Sequence, residues 1–344
     1  MKTEILKIDQ LAASQDLLAR AALTIKRGGT VVFPTETVYG LGADATSAQS
    51  AKKIYEAKGR PSDNPLIIHI CDPSDAEPYA VTSPLYYRLA EHFMPGPLTV
   101  IMPKKDTIPD TVTGGLDSVA VRCPSHSIAR ELIRLAQLPI AAPSANISGS
   151  PSPTCAAHVI DDLYGKVDCI IDGGECEVGV ESTIVKLTGD DSLVLLRPGA
   201  VTYDALSCVC ANVSVADAVL HTLKENERPL SPGMKYRHYA PAKPLVLIDG
   251  SSAQRLAFFK EKQKNERCVI ICYDEQACAL GSCTICIGAE DDLATQAHRI
   301  FAALRESNSM SGDTIYANLP STDGYGLAIY NRLIRAAAHT VIKL

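Results

Sequence analysis

The sequence predicts an α/β protein in which a larger domain on a mixed sheet is followed by a smaller alternating α/β domain of Rossmann-like topology. Three observations carry this. The chain has 344 residues, and a single core rarely grows beyond about 250–300 residues. Short apolar runs of strand length recur between amphipathic stretches of helical spacing. Up to about residue 208 some strand runs follow one another directly, which mixes antiparallel pairs with βα units, whereas beyond Pro244 strand and helix alternate regularly. The expected division is a domain over 1–210, a linker over 211–243 and a second domain over 244–344.

Residues 14–27 have helical spacing, with Leu17, Leu18, Ala21 and Ile25 on one side and Gly28-Gly29 as the stop. Thr30 to Phe33 reads as a buried strand, and Pro34-Thr35-Glu36-Thr37 as a turn dense in hydroxyls. The glycines of Tyr39-Gly40-Leu41-Gly42 would let backbone approach a ligand closely. Ala48 to Ala57 is helical; Gly59 suits its C-cap and Pro61 stops it, which leaves Lys58 and Arg60 at a helix end. Leu66 to Ile70 is a strand containing His69, Ser83 to His92 a helix, Leu98 to Met102 a strand, and Thr111 to Gly115 a loop. Val119 to Arg122 is a strand, followed by a helix from Ser125 through Ala136. Pro139 to Ala142 is a strand that runs into Pro143-Ser144-Ala145-Asn146. A helix near Ala156 to Leu163 and strands at Cys169 to Asp172, Ser182 to Leu187 and Leu193 to Arg197 complete the first domain. The second reads as strand 245–248, helix 251–264, strands 267–272 and 283–287, helix 291–306, strand 314–317 and helix 325–338.

Composition narrows the function. Net charge is −6, so the surface as a whole does not attract nucleic acid, and an anion site requires clustered cations. Such a cluster exists: Lys52, Lys53, Lys58 and Arg60 stand against one acid, Glu56. The absence of Trp and the five Phe argue against a stacking platform for single strands. The opening MKTEILKIDQ lacks the apolar core of a signal peptide, and no apolar run reaches the roughly 18 residues of a membrane span, so a cytoplasmic protein with no membrane partner is expected. Most of the twelve cysteines lie in apolar runs and read as buried thiols, and the one CxxC, Cys283 to Cys286, falls in a strand pattern that suits chelation poorly.

Hydroxyls and fixed cations recur just after strands, the rim where open α/β sheets bind ligands. Thr35 and Thr37, Lys58 and Arg60, Arg122, Ser144 and Asn146, Ser182, Arg197, and Tyr236, Arg237 and His238 of the linker are the candidates. Walker A, G-x-S-x-G, G-x-G-x-x-G and metal-spaced histidine pairs are all missing. A set rich in anion binders and poor in nucleophiles suits a site that holds carboxylates and phosphates and lets the substrates react with each other. Each candidate also has an ordinary reading. Arg122 could be a surface ion pair, Ser144-Ala145-Asn146 a turn, Lys58 and Arg60 complements to a helix dipole, and His69 a satisfied core histidine. Spacing alone leads to an α/β enzyme acting on a phosphorylated or carboxylated small molecule. Truncating Lys58 or Arg60, just past a helix stop, is expected to cost little stability.

The stretches PTETVYGLG, Lys58-Gly59-Arg60-Pro61, Pro143-Ser144-Ala145-Asn146, Arg197-Pro198-Gly199 and Ser231-Pro232-Gly233-Met234-Lys235-Tyr236-Arg237-His238-Tyr239 occur in this order. Together they resemble the threonylcarbamoyl-AMP synthase family, in its long form with a YrdC-type catalytic domain, a linker and a C-terminal Rossmann-like domain. The C-terminal part matches in size and pattern. The resemblance implies that L-threonine, bicarbonate and ATP give threonylcarbamoyl-AMP and pyrophosphate. The product would feed threonylcarbamoyl modification of the tRNA adenosine beside the anticodon, with tRNA or tRNA-modification proteins downstream. It implies that Thr35, His69, Arg122, Ala142 and Ser182 hold threonine. Lys58 and Arg60 would be catalytic, holding phosphates with Mg²⁺ between the phosphate oxygens and no metal ligand assigned to a side chain. Ser118, Ser144, Asn146, Ser152, Arg197, Tyr236, Arg237 and His238 would complete the ATP side. Residues 231–241 would form a lid, since prolines and a glycine flank stacking and charged groups there. The rivals are an RNA-binding module without chemistry, which the net charge opposes, and a hydrogenase-maturation carbamoyltransferase, whose zinc-finger cysteine pairs are not visible.

Overall fold

A computed structural model describes residues 2–220 and 238–344. By contacts these fall into two compact units, the first comprising 2–148, 153–177 and 181–220, the second 149–152, 178–180 and 238–344. Most of the segment read as a linker and lid, including Tyr236 and Arg237, lies outside the described residues.

The first unit is built on strands β1 (Glu4–Lys7), β2 (Val31–Phe33), β3 (Gly40–Asp44), β4 (Ile67–His69), β5 (Leu98–Pro103), β6 (Ser118–Arg122), β7 (Ile140–Ala142), β8 (Cys169–Asp172), β9 (Thr183–Gly189), β10 (Ser192–Arg197) and β11 (Asn212–Val215). They form one 11-stranded sheet in the order β1-β8-β2-β3-β7-β4-β6-β5-β9-β10-β11. Parallel and antiparallel neighbours alternate irregularly, so the sheet is mixed, as expected. Its helices are α1 (Gln15–Lys26), α2 (Ala48–Lys58), α3 (Pro84–Phe93), α4 (Asp110–Thr113), α5 (Ser127–Ala136), α6 (Ala156–Leu163) and α7 (Tyr203–Ser207).

Alternation along the strands sorts the core into faces. On one face Leu18 and Ile25 of α1 and Leu132 and Ile133 of α5 pack on Val31, Phe33 and Ile140. The same face continues over the middle strands as Ile67, Ile101, Ala120, Ile184 and Leu196. The opposite face carries Ile68, Val100 and Val121 beneath Ile54, Leu85 and Leu89. Helix α2 starts at Ser47, whose hydroxyl accepts from the Ser50 N–H at 3.2 Å, and ends at Gly59 with φ 61°, the left-handed cap its sequence foretells.

Two expectations need correction, and one stretch left unassigned is regular. The Gly40 to Gly42 stretch, read only as glycines that let backbone approach a ligand, is part of strand β3. A Cβ on Gly42 would lie 2.6 Å from the Ile140 side chain and 2.7 Å from the Phe33 ring, so that glycine admits large neighbours across the sheet. The Thr/Gly loop after Pro109 is helical from Asp110, closed by Gly114 at φ 61°. Part of the expected linker, Asn212–Val215, is an edge strand paired with β10, because Val213 and Val215 alternate beside a ladder that accepts them.

The second unit alternates β12 (Leu245–Asp249), α8 (Ser252–Asn265), β13 (Cys268–Cys272), α9 (Asp274–Ala277), β14 (Thr284–Cys286), α10 (Leu293–Ser309), β15 (Thr314–Asn318), α11 (Gly326–Ala336) and β16 (Val341–Lys343). All five strands are parallel, in the order β14-β13-β15-β12-β16. The all-apolar runs at β12 and β13 follow from that, since a parallel sheet is covered on both faces. Ile248, Phe259, Ile270 and Tyr316 form its core. Among the described residues no helix is long and apolar enough to cross a membrane.

Candidate active site

Sheet register assembles the site. His69 of β4 lies opposite Arg122 of β6, and Arg122 lies opposite Thr99 of β5. Thr99 in turn lies opposite Ile184 of β9, and Ile184 opposite Arg197 of β10. One row across five strands thus carries a histidine, two arginines and a threonine, over the apolar cluster of the same face. Arg122 and His69 end short strands whose alternate residues, Val121 and Ile68, are fully buried on the other face, so their own side chains turn toward the row.

Hydrogen bonds tie this row together. The Ser182 hydroxyl is 2.8 Å from that of Thr99, and the Arg197 guanidinium donates to the Ser182 carbonyl at 3.0 Å and hydroxyl at 3.1 Å. His69 Nδ1 donates to the Ile140 carbonyl at 3.3 Å, which leaves Nε2 as the acceptor. Burial, and then the charge of Arg122, pushes the His69 pKa down to about 3, so the ring is neutral at ordinary pH.

Arg122 Nη2 donates to Glu36 Oε1 at 2.6 Å, with both side chains 5% exposed. Glu36 Oε2 accepts from the Ser125 N–H at 3.2 Å. Burial alone would push the Glu36 carboxyl up. The charge and hydrogen bond of Arg122, with the backbone N–H groups of Glu36 and Ser125, hold it below the ordinary carboxylate range. Arg122 Nε is buried and has no hydrogen-bond partner among the described residues. The Thr35 hydroxyl next to Glu36 donates to the Val38 carbonyl at 2.6 Å and lies 2.8 Å from the Thr37 hydroxyl, so it holds its own turn together.

A second cluster forms where α2 ends. Lys58, only 1% exposed, donates to the Ser144 carbonyl at 2.6 Å, to the Asn146 carbonyl, and to Asn146 Oδ1 at 3.3 Å. The Ser144 hydroxyl donates to Asn146 Oδ1 at 2.6 Å. Loop 143–146 is itself clamped to β3 through Leu41 N–H to the Pro143 carbonyl and Ala145 N–H to the Tyr39 carbonyl, at 3.0 and 2.8 Å. Arg60 donates to the Asn64 carbonyl at 3.2 Å and the Pro65 carbonyl at 3.0 Å. Neither cation therefore hangs on a surface loop. The expectation that truncating them is nearly free does not hold for Lys58, a buried ammonium whose loss takes a donor from the Ser144 and Asn146 carbonyls.

Of the other candidates, Ala142 ends β7 beside Ile67, two residues along from the His69–Ile140 pair. Ser118 starts β6, four residues before Arg122, roughly 13 Å away at strand rise. Ser152 and His238 fall in the second unit. Glu36 and Thr99 are the site groups that motif reading passed over. Glu36 had a signal, an acid among hydroxyls at a strand end; Thr99 sits in an apolar strand and shows itself only through register.

An open mixed α/β sheet whose strand ends present buried arginines, a neutral histidine and hydroxyls has the architecture and donor groups of proteins that bind small anionic or zwitterionic molecules at the sheet rim. Comparison with known proteins sharpens that class. Residues 23–199 match a family described as "Telomere recombination", and residues 201–338 match "Threonylcarbamoyl-AMP synthase, C-terminal domain". The chain is 44% identical over 334 residues to the threonylcarbamoyl-AMP synthase of Pyrococcus abyssi, covering 94% of this chain and 95% of that one. It is 44% identical over 339 residues to the threonylcarbamoyl-AMP synthase of Bacillus subtilis, covering 97% of each. The crystal structure of P. abyssi Sua5 complexed with L-threonine superposes with a TM-score of 0.91 at 42% identity, covering 99% of this chain and 100% of that one. The chain belongs to the threonylcarbamoyl-AMP synthase family.

Proposed function

We propose that this chain is an enzyme, an L-threonylcarbamoyladenylate synthase. It joins L-threonine and bicarbonate into a carbamate and adenylates that carbamate with ATP, releasing pyrophosphate and water. This is a nucleotidyl transfer. The observation that carries the reading is the row of His69, Arg122 and Thr99, with the partnerless buried Nε of Arg122 at its centre. A buried guanidinium N–H without an acceptor is costly unless a ligand supplies one, and a carboxylate is its best partner. The relative of known structure was solved with L-threonine, and it covers nearly the whole chain.

In this reading the threonine carboxylate lies on Arg122, and neutral His69 accepts a hydrogen bond from the substrate at Nε2. Ser182, Thr35 and the small Ala142 shape the remainder of the pocket. Lys58 and Arg60 exchange loop carbonyls for phosphate oxygens when ATP enters, and Ser118, Ser144, Asn146 and Arg197 belong to the nucleotide side. Mg²⁺ bound with ATP would supply charge neutralisation on the triphosphate. The donors of Lys58 and Arg60 and the hard oxygens of Ser144 and Asn146 suit a metal–triphosphate, and no side chain is assigned to the ion. The protein's contribution is positioning and electrostatic stabilisation, with the substrates as nucleophile and electrophile. The adenylate then serves threonylcarbamoyl modification of tRNA adenosine in the cytoplasm. Incubation with ATP, Mg²⁺, bicarbonate and labelled threonine tests the reading. A labelled adenylate dependent on all four is expected, and its absence with folded protein would refute it.

A further inference from the structure

The Arg122–Glu36 pair is built in an unusual way. A buried ion pair is an expensive device, since desolving both charges offsets most of their attraction. A pair made for stability alone gains most when the guanidinium and carboxylate meet through two parallel bonds. Here Glu36 gives Arg122 a single oxygen, at 2.6 Å, and spends the other on the Ser125 backbone N–H at 3.2 Å. The carboxylate thereby links the turn after β2, the end of β6 and the loop that leads into α5. Held from Nη2 only, the guanidinium keeps Nε without a partner although that atom is buried. The neighbouring Thr35 and Thr37 hydroxyls bond each other and the Val38 carbonyl, and neither accepts from Nε.

We propose that Glu36 is a positioning residue for the reaction: it fixes the Arg122 guanidinium so that Nε–H is presented to the carboxylate of the amino-acid substrate. The inference rests on the reading of Arg122 as the carboxylate anchor. Glu36 touches no substrate in this arrangement. It sets substrate affinity through Arg122, and its loss is felt in threonine binding and not in the nucleotide steps.

Glu36→Gln keeps shape and volume but has one amide face carrying N–H where both present partners are donors, so either Arg122 or Ser125 is released. Steady-state kinetics on Glu36→Gln, Glu36→Asp and Arg122→Lys in the full chain separate the possibilities. The expected result is a rise of about tenfold in threonine KM for Glu36→Gln, with ATP KM and kcat at saturating threonine near wild type. Glu36→Asp, which retains the charge at shorter reach, should show a smaller rise confined to threonine. Should Glu36→Gln not fold, the aspartate variant decides by the same criterion. If Arg122→Lys raises threonine KM while both Glu36 variants leave it unchanged, or move both KM values together, the positioning role is wrong. If Arg122→Lys leaves threonine KM unchanged, the anchor reading itself fails and takes this inference with it.

Discussion

At the scale of single residues, Lys58 combines two jobs that can be measured apart. Lys58→Ala and Arg60→Ala should each lower adenylate formation by about 2–4 kcal/mol of transition-state stabilisation, the usual effect of removing a charge-stabilising group from a closed site. Lys58→Ala should also destabilise the protein by about 1–3 kcal/mol, because the Ser144 and Asn146 carbonyls lose the Lys58 donor. Turnover assays paired with denaturant titration read both effects; wild-type turnover at limiting ATP in both variants would remove these residues from the phosphate site. A second prediction concerns His69. Its folded pKa is depressed from 6.5 to about 3. The stability it contributes is thus complete above 6.5 and is lost progressively as pH falls toward 3, by roughly 1.4 kcal/mol per pH unit. His126, lowered by burial, acts in the same direction, whereas Glu36 adds its loss only below its ordinary value of 4.5. Unfolding titrations between pH 7 and pH 5 should show this slope, flattened in His69→Gln; an unchanged slope would place the loss elsewhere. Third, a hydroxyl-lined pocket leaves polar groups unpaired when an apolar isostere enters, so threonine should be strongly preferred to valine. Competition between the two in the adenylate assay measures this, and equal turnover would sink the assignment of Ser182 and its neighbours.

Secondary-structure elements were legible in the sequence where they carry their own punctuation. Helix α2 was legible as Ala48 to Ala57, one residue short of its observed end, because the stop at Gly59 is a local signal. The glycines of β3 have a packing reason that the sequence does not show: Phe33 and Ile140 occupy the space a Gly42 side chain would need. Gly42→Ala should therefore cost about 1–3 kcal/mol through overpacking. A melting curve compared with that of Gly59→Ala separates crowding from backbone strain, since Gly59 has open space around it and φ 61°. If Gly42→Ala melts like wild type, the close-packing account of β3 is wrong. The edge strands β1 and β11 were missed because most of their residues are exposed, so they lack the continuous apolar run that marks the equally short buried strands β2, β4 and β7.

Across the whole molecule, motifs supplied candidate residues, and register arranged those of the central strands. The sequence shows that Arg122, His69 and Ser182 each sit near an apolar run; it does not show that β4, β6, β5 and β9 are neighbours in that order. That order is set by long-range pairing, and a shift of one residue would turn Arg122 to the opposite face. Thr99 and the Glu36–Arg122 pair are consequences of register and could not be read beforehand. The second unit was easier to outline, since its alternation of apolar strands and amphipathic helices is regular.

The central claim is that this fold joins three substrates into one adenylate. Supplying tritiated threonine and carbon-labelled bicarbonate together with ATP and Mg²⁺, then isolating the nucleotide product, tests it most directly. The account predicts a single AMP-containing species carrying both labels in equal amounts, formed in step with pyrophosphate. ATP turned over to AMP and pyrophosphate with no nucleotide carrying both labels, or an adenylate carrying threonine without the bicarbonate carbon, would contradict it.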